Sequence, residues 1–123
     1  MTHWVVDGNN LMGAQAAGWW KDRAGAARRL AEDLDRWGRA VREPVDLVFD
    51  GHRPPAWPET TIRVRFAESS ARDAADDVIA ALVEELYGDE PDLTVVTSDR
   101  GLAARLPPGV RRIGAGKFLG RLD

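Results

Sequence analysis

The sequence predicts an α/β fold: a single domain with a mainly parallel central sheet of about five strands and helices on both faces. Two observations lead there. Short β-rich apolar runs alternate with longer segments whose apolar residues recur every three or four positions. Strands separated by helices need crossover connections, and crossovers make parallel sheets. The length of 123 residues allows one domain with one sizeable core.

Each element has its own signal. His3 to Val6 is a short apolar strand stopped by Asp7-Gly8-Asn9-Asn10, which reads as a turn cluster. A helix follows from about Arg23 to Val41, with Ala27, Leu30, Ala31, Leu34, Trp37 and Val41 on one stripe. Val45 to Phe49 is a second strand, closed by Asp50-Gly51. Arg53 to Pro58 is too rich in proline for a ladder and reads as a loop. Thr61 to Phe66 alternates, with Ile62, Val64 and Phe66 on one face, as a third strand. Ser70 to Tyr87 is the clearest helix: Ser70 caps it, Asp73 takes the capping-box position, Ala75, Val78, Ile79, Leu82, Val83 and Leu86 form its stripe, and Gly88 ends it. Leu93 to Thr97 is a fourth strand, a short helix follows Asp99, and Val110 to Ile113 is a fifth strand.

Composition narrows the chemistry. Hydrophobic residues make 44% and charged residues 30%, the mix of a folded soluble protein rather than a disordered one. No apolar run could span a bilayer, and the apolar start is cut short by Asp7, unlike a signal peptide. A cytoplasmic protein with no membrane partner is expected. With no cysteine and only His3 and His52, thiolate zinc sites, cysteine nucleophiles and histidine-rich metal sites are excluded or disfavoured. Catalysis would rest on carboxylates, hydroxyls, amides or the backbone. Charge is segregated: nine acids and no base lie between Asp73 and Asp99, then six bases and one acid from Arg100 onward. That distribution fits an acidic pocket beside a basic rim, and equally two solvated faces of different sign.

Three strands end in an aspartate: Asp7, Asp50 and Asp99. In a parallel sheet these acids emerge on one edge, where ligands of such sheets bind. Like charges a few ångströms apart repel by several kcal/mol at moderate dielectric, and a divalent cation with oxygen ligands is the usual compensation. Taken singly, each acid reads as well as a turn or capping residue. The Ser70–Tyr87 helix adds Asp73, Asp76 and Asp77. At about 100° per residue, Asp76 borders the buried stripe, while Asp73 and Asp77 lie nearly opposite it. Asp76 is therefore the favoured helix acid. Asp73 also suits a capping charge and Asp77 a solvated position.

Together, V-V-D-G-N-N at Val5–Asn10, L-V-F-D-G at Leu47–Gly51, A-A-D-D-V-I at Ala74–Ile79 and T-V-V-T-S-D-R at Thr94–Arg100 resemble the YacP-like branch of the NYN domain, and Gly114-Ala115-Gly116 resembles its closing glycine motif. The motifs run in order over most of the chain. NYN domains belong to the PIN-like nucleases, which have a parallel sheet between helices and an acidic, metal-dependent RNase site. The resemblance implies that Asp7, Asp76 and Asp99 are the catalytic carboxylates holding Mg²⁺ or Mn²⁺. Asp77, the second acid of a tandem found in some relatives, joins the implied metal ligands. Asn10 and Ser98 are implied to shape the site, with Asp50 as a further supporting acid. The implied partner is RNA, including ribosome-associated mRNA.

The implied chemistry is metal-assisted hydrolysis of phosphodiesters, which needs neither histidine nor cysteine. Basic side chains would hold flanking phosphates without reading sequence. Arg100, next to Asp99, leads the candidates; Arg53 and Lys117 follow, then Arg105, Arg111 and Arg112. Surface charge for solubility is the competing account of most of them. Trp19, Trp20 and Trp57 lie in loop-like sequence. They either stack unpaired bases or cover the edges of a small core, whereas Trp4 and Trp37 belong to the core. The main alternative to an endoribonuclease is an RNA-binding module of the same fold with little catalysis. A phospho-receiver or an aspartyl phosphatase fits poorly, because Asn9 and Asn10 stand where paired acids would be needed. No P-loop or dinucleotide fingerprint follows the first strand.

Overall fold

The computed structural model describes residues 1–15, 17–90 and 92–122. Among them, strands β1 (His3–Asp7), β2 (Val45–Phe49), β3 (Arg63–Phe66), β4 (Leu93–Val96) and β5 (Arg111–Ile113) form one sheet in the order β3-β2-β1-β4-β5. Every pairing is parallel. The helices are α1 (Gly8–Gln15), α2 (Arg23–Val41), α3 (Ala74–Leu86), α4 (Arg100–Ala103) and α5 (Ala115–Leu119).

The pleat sorts the strand side chains into two cores. Trp4, Val6, Leu47, Phe49 and Val96 face one way and pack with Leu11 of α1, Leu30 and Leu34 of α2 and Phe118 of α5. Val5, Val48 and Val95 face the other way, onto Ile79, Leu82 and Val83 of α3 and Leu102 of α4. Both faces of the sheet are therefore covered, which is why its inner strands read as continuous apolar runs. Trp4 is buried, and Trp37 of α2 packs edge-on against it at 5.2 Å. No helix among the described residues is long and apolar enough to cross a membrane.

Four local expectations change. Gly8-Asn9-Asn10 is the first turn of α1 rather than a loop. Gly8 makes this possible: a Cβ there would lie 2.6 Å from the Phe49 ring, so only a bare backbone can press the helix onto β2. The third strand begins at Arg63, not Thr61, because Asp35 of α2 takes the Thr61 and Ile62 amides and the Thr61 hydroxyl. α3 begins at Ala74 and Ser70 does not cap it. The preceding segment is tied to the end of β2 by Gly51 N–H to Ser69 O and Glu68 N–H to Gly51 O, both at 2.8 Å. Asp73 then turns the chain into the helix at φ 67°, without a side-chain cap. Finally, α5 forms where only a glycine motif was apparent, held by the burial of Ala115 and Phe118.

Candidate active site

The carboxyl ends of the strands open into a cleft of about 430 Å³, lined by Asp7, Asp50, Asp76 and Asp99 among others. β1 delivers Asp7 at its last residue, beside β2 and β4 at the centre of the sheet. The loop after β4 delivers Asp99, and the first turn of α3 delivers Asp76.

Asp7 is 4% exposed. Its Oδ2 accepts from the Thr97 hydroxyl at 2.9 Å and its Oδ1 from the Asn10 amide at 3.4 Å. Burial pushes its pKa up to about 6; the two hydrogen bonds work against this, and the charges of Asp76 and Asp99 add to it. Asp76, half-buried, is also held above the usual carboxylate range, first by burial and then by Asp99 and Asp73. Asp46, a buried acid on β2, behaves in the opposite way. Burial would raise its pKa, but hydrogen bonds from His3 at 2.7 Å and Arg65 at 3.2 Å bring it below the ordinary value. Acids that serve the fold are neutralised by partners here. Asp7 instead faces further negative charge, and so does Asp76, where Arg105 offsets part of it.

Asp99 has two attachments. Its amide donates to Thr97 Oγ1 at 3.0 Å, and its Oδ1 caps α4 by accepting from Leu102 N–H at 3.0 Å. Thr97 therefore joins Asp7 to Asp99 through one buried hydroxyl. Asn10 and Ser98 brace the same corner: Asn10 Oδ1 accepts from Ser98 N–H at 2.8 Å, and Ser98 Oγ accepts from Ala115 N–H at 2.8 Å. These bonds fasten α1 and α5 to the loop that carries Asp99.

Asp50 shares the edge but not the charge imbalance. Its Oδ1 accepts from Arg23 at 2.9 Å and from Asn9 Nδ2 at 3.0 Å, and its amide donates to Asn9 Oδ1 at 2.8 Å. The cleft acids without a basic hydrogen-bond partner among the described residues are thus Asp7, Asp73, Asp76 and Asp99 rather than the three strand-end acids. Asp77 points outward, paired with Arg105 at 2.8 Å, and does not line the cleft. Among the basic candidates, Arg100 is exposed at the start of α4. Arg53 lies over the rings of Trp57 and Phe66 and donates to Val64 O. Lys117 lines a separate groove with Arg111, Arg112 and Arg121. Of the loop tryptophans, Trp19 lines the cleft, Trp20 is 61% exposed, and Trp57 packs on Phe66 at 5.1 Å.

Sequence reasoning passed over Thr97, Asn9 and Arg23. Thr97 carried a faint signal, a hydroxyl two residues before a strand-end acid. Arg23, the first residue of a helix 27 positions from Asp50, carried none.

The donor set suits a hard divalent cation: carboxylate oxygens, no sulfur, and excess negative charge. Among the described residues, however, no three carboxylates or imidazoles stand close enough to hold an ion as they are placed.

The family model for the YacP-like NYN domain matches residues 4–120. The chain belongs to the YacP-like NYN domain family. Solved structures agree with this at the level of fold. This NYN domain is similar to Rae1 (YacP) from Bacillus subtilis, with 22% identity, a TM-score of 0.76, and coverage of 99% of this chain and 74% of that one. The W164L mutant of the same protein gives 24% identity and a TM-score of 0.74. The T5 D15 protein, co-crystallised with metal ions, shares the PIN-like architecture at 15% identity and a TM-score of 0.59, and the NYN domain spans 56% of its length. No curated protein matches the sequence significantly.

Proposed function

We propose that this NYN domain is a cytoplasmic, metal-dependent endoribonuclease acting on single-stranded RNA. The observation that carries the reading is the shared cleft of Asp7, Asp76 and Asp99, in which Asp7 is buried with its pKa at about 6 and has acids, not bases, for charged neighbours. Perturbed acids in a cleft at the carboxyl edge of a parallel sheet mark functional sites. Asp7, Asp76 and Asp99 would hold Mg²⁺ or Mn²⁺, which when bound polarises phosphoryl oxygens and lowers the pKa of a water. Thr97 keeps Asp7 and Asp99 in fixed relation, and Asn10 orients Asp7. Arg72, which lines the cleft, and Arg100, exposed at the start of α4, supply positive charge at the rim for flanking phosphates.

A second reading, RNA binding with little catalysis, is favoured by the spacing of the carboxylates, which an ion would have to draw together. Incubation of labelled single-stranded RNA and DNA with Mn²⁺, Mg²⁺ or EDTA separates the two. Cleavage of RNA that EDTA stops supports the enzyme. Retention of intact RNA in every condition supports the binding module.

A further inference from the structure

Two aromatic side chains among the described residues stand well into solvent, Trp20 at 61% exposure and Tyr87 at 43%. Tyr87 is anchored, because its hydroxyl donates to Pro108 O at 2.5 Å. The aromatic contact of Trp20 is with Trp19, at 6.3 Å and 84° between the planes. A ring covered on both faces would lose most of its exposure, so Trp20 keeps at least one face free. Trp19 behaves differently. It is half-buried, packs against the core, carries the Arg23 guanidinium over its ring at 5.4 Å, and lines the acidic cleft. The free indole therefore sits against a ring that is itself part of the cleft wall.

The turn that carries the pair is fixed at both ends. Gly18 enters it at φ 77°, which glycine adopts without strain, and Gly18 O accepts from Lys21 N–H at 3.0 Å. Asp22 Oδ1 then accepts from Gly25 N–H at 3.0 Å and caps α2. The backbone under Trp20 is thus tied into the fold although its ring is not buried. The surroundings of the ring are polar. Lys21 and Asp22 follow it and are exposed, and Arg72 lines the cleft together with Trp19. A protein partner would want a contiguous apolar patch with charge excluded from its centre. One free ring face beside cations suits single-stranded nucleic acid, in which every base offers a flat π-face and every nucleotide a negative charge.

We propose that Trp20 is a stacking platform for one unpaired base of an RNA strand flanking the acidic cleft, with Trp19 as the half-buried support that sets it on the rim. The proposal rests on the nuclease reading and deepens it by assigning a positioning residue for the substrate. Stacking uses the face of the base and not its hydrogen-bonding edge, so the platform accepts any base.

The test is fluorescence anisotropy of the full chain in EDTA with two labelled strands of equal length, an oligouridine and a base-free ribose-phosphate chain. Wild type is expected to bind the oligouridine at least about fivefold more tightly, the low end of one base–aromatic stack. Trp20→Ala should lose at least about fivefold on the oligouridine and nothing on the base-free chain. Trp20→Phe keeps a flat ring and should retain most of the affinity. All three proteins should share a urea midpoint, because substitution of an exposed side chain costs little stability. Equal affinity of wild type for the two strands, absence of binding to both included, overturns the proposal. So does an equal loss on both strands in Trp20→Ala. Undiminished oligouridine binding by Trp20→Ala overturns it as well and assigns the exposed ring to a protein partner. The two readings fail separately: RNA cleavage in Mn²⁺ with no effect of Trp20→Ala on binding overturns the platform alone, and Trp20-dependent binding without cleavage supports the platform and overturns the nuclease.

Discussion

Asp7→Asn should make the metal-free protein more stable at neutral pH while abolishing cleavage. In the folded chain the Asp7 carboxyl has a pKa of about 6 against an ordinary 3.8. An acid whose pKa is raised by folding destabilises the fold once it ionises. At pH 7.5, above both values, that cost is about 3 kcal/mol, and at pH 5 it is about half as much. Lowering the pH through 6 therefore restores stability to the wild type. Asparagine removes the charge but keeps one acceptor, so one of the bonds from Thr97 and Asn10 is lost, at about 1 kcal/mol. The net expectation is a gain of about 1–2 kcal/mol at pH 7.5, or roughly 5 °C in Tm for a domain of this size. Urea denaturation of both proteins in EDTA at pH 5 and pH 7.5 measures it. The gap between them should widen by about 1 kcal/mol from pH 5 to pH 7.5. The subtraction cancels His3, which titrates identically in both. A variant less stable than wild type at pH 7.5, or parallel pH profiles, would show that Asp7 carries no buried, uncompensated charge.

Mn²⁺ should raise the Tm of the wild type by mass action and raise that of Asp7→Asn much less; equal shifts in thermal scans would place the ion elsewhere. Asp76→Asn should lower the cleavage rate at saturating metal at least about tenfold, or about 1.4 kcal/mol of barrier, and Asp77→Asn should lower it less, because Asp77 points away toward Arg105. The reverse order in a rate assay would remove Asp76 from the cleft chemistry. Asp99→Asn should abolish cleavage with little change in Tm, since asparagine caps a helix about as well as aspartate; a large drop in Tm would make the cap its main role. Gly8→Ala should destabilise the protein by at least about 2 kcal/mol in urea despite the better helix propensity of alanine, because the added Cβ meets Phe49 at 2.6 Å and Val48 O at 2.8 Å. An unchanged midpoint would mean that α1 can lift off β2.

The parallel sheet, its two helical layers and the convergence of Asp7 and Asp99 on one edge were legible in the sequence, because alternation and 3.6-residue periodicity are local consequences of which faces are buried. The outward turn of Asp77 and the half-burial of Asp76 followed from helical geometry in the same way. The first turn of α1 was not legible. Gly8-Asn9-Asn10 has the composition of a turn, and its helix rests on tertiary packing, with Leu11 and Met12 buried and the bare Gly8 backbone against Phe49. Nor could composition and spacing separate Asp50 from Asp7; only the family resemblance set Asp50 apart as a supporting acid. Both end a strand before glycine, yet Asp50 meets Arg23 and Asn9 while Asp7 meets Thr97 and, through space, two more acids. Spacing along the chain determines which edge a strand-end carboxylate occupies. Whether its charge is neutralised depends on side chains brought from distant segments, and only the packing of α1, α2 and α3 against the sheet decides that.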